Sequence, residues 1–378
     1  MTLAPGARAR LGLDVRLPYY TSGGIARYVR QLASRLPELA PEFEHVHYYH
    51  RRDTAVYGAK ARRVACWTPA HHRAERLALS LEVLPQRLNL LHSPDFIPPA
   101  RGYGKSVITV HDLTFLRYPE FLTAESRRYY NDQIHWAVRR ADAIAADSAA
   151  TAADLTSLLG VAPEKVTVIH LGLDEAFRPA SPENASEDAA VLASHQLQPG
   201  YLLFVGTFEP RKNVGGLLRA YARLRAVTGA APPLVLVGRA GWLFEETLKL
   251  IGDLRLSEAV RRLEDLPEAA LPAFYRGAAM VVLPSHYEGF GFPVLEAMGS
   301  GVPAVISNRA SLPEIAGGAA LEVEPDDIGA LSEALGHVLA DEGLRRDLVA
   351  RGLERARAFA WDATARATLA LYRQVLTS

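Results

Sequence analysis

Two carboxylates, Glu288 and Glu296, bracket the run Gly-Phe-Gly-Phe-Pro-Val-Leu, and that run joins two different backbone conformations. Ahead of it, Val281 to Leu283 is a short apolar stretch that predicts a buried strand. Pro284 breaks the strand, a loop with Gly289 and Gly291 follows, and Pro293 falls in the first turn of a predicted helix carrying Glu296. Proline suits a first helical turn because the amide it lacks would have no partner there. Glycines ahead of a helix start let a ligand come close to the backbone, and the free amides of that start suit an anion. Glu288 in the loop and Glu296 one turn into the helix are expected to face one cavity. Amides for a diphosphate beside carboxylates for hydroxyls is the chemistry of holding a nucleotide sugar.

Three further groups of residues could take part. Tyr201 to Val205 predicts a strand ending at Gly-Thr-Phe-Glu-Pro-Arg211-Lys212-Asn, with a helix behind it through Leu217, Leu218, Tyr221 and Leu224. Arg211 and Lys212 at that strand end can clamp a diphosphate through charge-assisted hydrogen bonds. Near the start of the chain, Leu11 to Val15 predicts a strand that runs into Gly23-Gly24 and an amphipathic helix with Ile25, Val29, Leu32 and Leu36 on one face. That turn too is compatible with phosphate. His111 and Asp112 directly follow the strand candidate Val107–Val110.

These residues need a scaffold that places strand ends side by side. Further strand candidates lie at His45–Tyr49, Arg63–Trp67, Leu90–His92, Ala143–Ala146, Val166–Ile169, Leu234–Val237, Arg261–Leu263 and Val305-Ile306. Helical stretches, among them Ala124–Arg140 and Ala149–Leu159, separate several of them. Short β-rich runs alternating with helices imply α/β domains with parallel, doubly wound sheets, whose ligands bind at the carboxyl ends of the strands. At 378 residues the chain is too long for one ordinary core.

The segment Glu-Gly-Phe-Gly-Phe-Pro-Val-Leu-Glu-Ala-Met, residues 288–298, resembles the signature of the retaining glycosyltransferases of family 4. Ser-Gly-Gly-Ile-Ala-Arg-Tyr, Val-Ile-Thr-Val-His-Asp-Leu and Gly-Thr-Phe-Glu-Pro-Arg-Lys-Asn are similar to other motifs of that family. The resemblance implies the GT-B fold, two Rossmann-like doubly wound domains facing each other across a cleft. It implies residues 1–178 as the acceptor-side domain, 179–200 as a linker, 201–358 as the donor-side domain and 359–378 as a helix crossing back to the N-terminal domain. By the same resemblance Glu288 orients the transferred sugar, His111 touches it, and Lys212 and Arg211 stabilise the leaving diphosphate. Gly23, Gly24, Gly289, Phe290, Gly291 and Phe292 would line the donor, and Glu296 would hold its ribose. Many family members have an arginine where this chain has Thr207, and Gly318 stands where an aspartate is usual. Closest in motif form is the mannosyltransferase-like branch that builds bacterial surface polysaccharides. The implied reaction moves a hexose, best mannose, from a nucleotide diphosphate sugar to a glycan or lipid-linked acceptor with retention of configuration. UDP-glucose or another UDP-sugar as donor, and a nucleotide-sugar epimerase, are the alternatives.

The sequence holds no Asp-x-Asp pair, so no cofactor and no metal requirement are expected, with positive side chains and a helix start meeting the phosphate charge instead. One cysteine, Cys66, excludes an internal disulfide and is expected in the core. Met1 to Arg10 has no apolar leader and no run approaches a membrane-spanning length, which gives a cytoplasmic expectation, with peripheral contact on the inner membrane face. The net charge of zero hides an asymmetry: residues 1–140 carry 21 Lys and Arg against 12 Asp and Glu, and the remainder carries 21 against 30. A basic N-terminal half suits an anionic acceptor or lipid headgroups, or else an acidic domain opposite it. No nucleic-acid partner is expected. Helices over His72–Leu84 and Ser126–Arg140 mix basic and apolar residues.

Overall fold

The computed structural model describes residues 8–121, 124–241 and 244–378, so the first seven residues of the Met1–Arg10 stretch lie outside it. The chain forms two compact units, residues 1–172 with 360–378, and residues 173–359.

The first unit carries β1 (Arg10–Asp14), β2 (Glu44–His50), β3 (Arg62–Cys66), β4 (Leu88–Ser93), β5 (Tyr103–Val110), β6 (Ala143–Ala146) and β7 (Val166–Val168). They form one sheet in the order β3-β2-β1-β4-β5-β6-β7, every pair parallel. Strands buried on both faces must be apolar throughout, which is why Leu11, Leu13, Leu90, Val107, Ile108 and Ile144 sit at 0–3% exposure. From β1 the chain winds outward to β3, then returns to lay β4 on the other side of β1. That reversal is a topological switch point, where doubly wound sheets open a crevice for ligands. The last helix, Trp361–Thr377, belongs to this unit. Tyr372 Oη meets His92 Nδ1 at 2.5 Å, and Thr364 Oγ1 donates to the carbonyl of His170 at 2.8 Å.

The second unit carries β8 (Tyr201–Val205), β9 (Leu234–Val237), β10 (Val260–Leu263), β11 (Ala278–Leu283), β12 (Ala304–Ser307) and β13 (Leu321–Val323). Their order is β10-β9-β8-β11-β12-β13, again all parallel, with the switch between β8 and β11. Each unit is therefore the doubly wound α/β domain that the alternation of strand and helix predicts.

The division of the chain differs from expectation: residues 173–178, expected in the first domain, and Phe359, expected in the returning helix, belong to the second unit. Residues 179–200, expected as a linker, contain the helix Pro182–Ser194 inside the second unit, which begins at Leu173. Ser181 and Asn184 cap each other reciprocally at its start, and Pro182 occupies the first turn. The helix is anchored by Asp188, whose two carboxylate oxygens each accept from Arg276 at 2.6 Å, and by buried Leu192.

Candidate active site

In the second unit, the carboxyl ends of β8 and β11 bring three of the expected residues together. Glu288 is 6% exposed and accepts from Lys212 Nζ at 2.5 Å, Arg211 Nη1 at 3.0 Å and Ser285 Oγ at 2.7 Å. Burial alone would push this carboxyl up. The charges of Lys212 and then Arg211 outweigh that, and with hydrogen bonds from Lys212 and Ser285 they hold it down at about 2. Lys212 is itself buried, which lowers its affinity for a proton, while Glu288 pulls the other way. Glu288 is thus an ionised group at any working pH, and its two oxygens fix where both cations point. Arg211 is also held by Glu209 at 2.9 Å and by the carbonyl of Tyr287 at 3.3 Å.

The loop behind Glu288 is set by residues that the sequence reading missed. Ser311 Oγ lies 2.9 Å from the carbonyl of Glu288 and 2.8 Å from that of Phe290, one proton serving two acceptors. Ser307 Oγ donates to the carbonyl of Ser285 at 2.5 Å. A serine at the end of β12 and another four residues on carry no motif by themselves; only their closeness to β11 in the sheet marks them. Gly291 has φ +107°, and a Cβ there would stand 2.7 Å from Leu312 Cδ2, so the position admits glycine alone without strain. It leads into the helix Phe292–Gly299 with Pro293 in the first turn, as expected. Phe290 is buried, its ring 5.2 Å from that of Phe292 and 6.1 Å from that of Phe359, so its side chain serves the interior. Gly289 and Gly291 lie in the same buried loop. Glu296, expected to share a cavity with Glu288, is 3% exposed and accepts from Tyr275 Oη at 2.7 Å.

In the first unit, His111 follows β5 and its ring is committed on both sides. Nδ1 meets Asp147 Oδ2 at 2.6 Å and Nε2 meets the carbonyl of Pro94 at 2.7 Å. Two acceptors on two ring nitrogens require the doubly protonated ring. Burial opposes that form, yet the charge and hydrogen bond of Asp147 raise His111 to about 9. The residue is a fixed cation at the carboxyl end of β5, inside the sheet. Gly23, with φ +116°, and Gly24 begin the helix Gly24–Leu39 with their backbone near the surface.

A second polar cluster in this unit lies at the β1/β4 switch and was not anticipated. Arg16, 1% exposed, donates to Asp14 Oδ2 at 2.6 Å, to Glu75 Oε1 at 2.5 Å and to the carbonyl of Thr68 at 2.9 Å. His71 Nε2 meets Asp95 Oδ2 at 2.5 Å. Burial raises Glu75 to about 7, with Arg16 pulling it down. Asp14, Arg16, His71, Glu75 and Asp95 line a small, partly open pocket with Leu17, Ala70, Pro94 and Ile97. The rule that placed His111 at a strand end applies equally to Asp14, the last residue of β1, and to Asp95 just after β4, and would have found them.

Residues 22–177 match the model of the family described as Glycosyltransferase Family 4, and residues 192–355 that of Glycosyl transferases group 1. The O-antigen chain mannosyltransferase B of Escherichia coli is 35% identical over 285 residues, 75% of this chain and 74% of that one. The chain belongs to the family 4 type glycosyltransferases. Its fold is theirs as well. The sucrose-phosphate synthase of Thermosynechococcus elongatus superposes with a TM-score of 0.78 at 23% identity, covering 98% of this chain and all of that one (100%). Anabaena HepE, solved in complex with UDP-glucose, gives 0.72 at 16% identity over 97% of this chain and 99% of its own. The Glu288, Lys212 and Arg211 cluster stands at the β8/β11 switch point of the second sheet, where doubly wound domains open a crevice. Among the described residues, no helix is long and apolar enough to cross a membrane.

Proposed function

We propose that this glycosyltransferase moves a hexose, mannose by preference, from a nucleotide diphosphate sugar to a glycan or lipid-linked acceptor in bacterial surface polysaccharide or glycolipid synthesis, with retention and without a metal. The observation that carries the reading is the buried triad of Glu288, Lys212 and Arg211. As the bond from the anomeric carbon to the phosphate oxygen breaks, negative charge gathers on the diphosphate. Lys212, Arg211 and the start of the helix at Phe292 offer preorganised positive potential to it. Glu288 aims the two cations and faces the sugar, whose carbon gains positive character. The acceptor hydroxyl attacks on the face the phosphate leaves, and a phosphate oxygen takes its proton, so configuration is kept without an enzyme nucleophile. Glu296 is assigned to the ribose, and Gly23, Gly24, Gly289 and Gly291 to close approach of the diphosphate. The acceptor is assigned to the first unit, where the Arg16 and Glu75 cavity offers charged partners for hydroxyls. The preference for mannose rests on the 35% identical Escherichia coli relative and on the form of the Arg211 motif.

The test is binding and turnover across GDP-mannose, UDP-glucose and ADP-glucose, with and without EDTA. Wild type is expected to select GDP-mannose and to ignore the chelator. Lys212→Ala and Glu288→Ala should each lower kcat about 100-fold or more, the cost of removing one preorganised electrostatic group. Selection of a UDP-sugar would replace mannose. Loss of activity with EDTA that magnesium restores would overturn the metal-free mechanism. Formation of an epimer from donor alone would make the chain an epimerase.

A further inference from the structure

Three neighbouring strand ends of the first sheet carry exposed aromatic rings. The short turn Leu17–Tyr19 behind β1 leaves Tyr19 and Tyr20 at 42% and 46% exposure. Tyr19 stacks on His50, the last residue of β2, with ring centres 4.1 Å apart and planes within 20°. Tyr20 stands edge-on, 5.1 Å from the Tyr19 ring and 5.3 Å from that of His50, which is buried beneath the two. One strand further, Trp67 just past β3 is 69% exposed, and the Arg51 guanidinium lies 3.9 Å over its ring. Parallel pairing of β1 with β2 and of β2 with β3 sets these ends side by side, and the Arg51 amide donates to the Cys66 carbonyl at 2.9 Å.

The backing of the rings says what they are for. His50 supports one face of Tyr19 and Arg51 one face of Trp67, so each ring is held in place with its other face left for contact. A rigid ring with a polar rim costs little conformational entropy to use, and it suits a ligand that has a C–H face and hydroxyls around it. The rings also continue an existing pocket. Tyr20 meets the backbone of Ala70, and Ala70 with Leu17 lines the pocket of Arg16 and Glu75. Charges there are already matched, Arg16 by Asp14 and Glu75, and His71 by Asp95. That leaves hydrogen-bonding groups rather than net charge, which suits a neutral polyhydroxyl chain. Strand ends lie ~4.8 Å apart, close to the advance of one hexose along an extended glycan. We infer that this edge binds an oligosaccharide of at least three hexose units, the terminal one at the pocket, the next on Tyr19 and Tyr20, and the third on Trp67. That this oligosaccharide is the acceptor rests on the sugar-transfer reading; that the edge binds glycan does not.

Titration calorimetry of the full chain with α-mannose, α-glucose and β-glucose oligosaccharides of one to five units tests the inference. In at least one series the affinity is expected to rise about fivefold with each added unit up to the third, then to level off. Tyr19→Ala and Trp67→Ala should each remove one of these steps, about fivefold, while Tyr19→Phe keeps it because the ring does the stacking. Circular dichroism shows whether the variants fold; if Tyr19→Ala does not, Trp67→Ala decides. Affinity that is independent of length, no binding in any series, or an unchanged length profile in a folded alanine variant overturns the proposal. So does a concentration-dependent dimer in sedimentation velocity that Trp67→Ala abolishes, since a second copy would then own the rings. Length-dependent glycan binding by a chain that binds no nucleotide sugar would sink the proposed reaction and leave the glycan edge intact.

Discussion

His111 shows how one side chain's charge follows from what encloses it. Its ordinary value near 6.5 rises to about 9 because Asp147 and the Pro94 carbonyl both need a donated proton. A group raised in the folded state lends stability that is complete below its unfolded value and disappears as pH climbs through the folded one. The His111 and Asp147 pair should therefore stabilise the first unit fully below pH 6.5 and lose that contribution between 6.5 and about 9. Denaturant titrations of wild type and His111→Gln should differ by on the order of 1–3 kcal/mol at pH 6 and converge above pH 9. A gap that does not change with pH would mean that the ring is neutral. The sequence placed His111 at a strand end and could go no further. Asp147 lies thirty-six residues away, and only the parallel pairing of β5 with β6 sets the two side by side.

Among the elements, the turn from β11 into the helix Phe292–Gly299 was the most legible. Its strand is a continuous apolar run, its glycines and proline carry their conformations in their covalent structure, and Arg211 and Lys212 sit where motif spacing put them. The helix Pro182–Ser194 was not legible, because it docks through the Asp188 and Arg276 ion pair and one leucine, so its hydropathy is that of a linker. The three-residue strand β13 is likewise too short to show a period. The turn itself yields a prediction. At Gly291 an alanine meets both a left-handed backbone, costing about 1–3 kcal/mol, and Leu312 Cδ2 at 2.7 Å. Gly291→Ala should lower kcat/KM about tenfold or more, while the Lys212 and Glu288 pair persists. Wild-type turnover in Gly291→Ala would show that the loop's path is not what holds the donor.

At the scale of the whole molecule, the chain crosses between its two units twice, and the crossings lie side by side. Leu173 N donates to the Phe359 carbonyl at 3.0 Å, and a Cβ on Gly172 would stand 2.4 Å from Trp361 N. The last nineteen residues, 360–378, therefore return to complete a core that began at β1. Their helix buries Trp361, Leu369, Leu371, Tyr372 and Val375, and the Arg35 pair with Asp362 at 2.9 Å ties it to the helix Gly24–Leu39. Nothing local in Trp361–Thr377 names its partner. Its amphipathic stripe predicts a helix, and resemblance alone assigned it to the N-terminal domain. If the first unit folds around this helix, Leu369→Ala should cost about 2–5 kcal/mol, and the loss should fall on one unit only. Hydrogen exchange read by mass spectrometry is expected to speed up across β1, β4, β5 and the helix Gly24–Leu39, with β8 to β13 unchanged. Faster exchange in both units would mean that they unfold as one, and the two cores would then not be separate thermodynamic bodies.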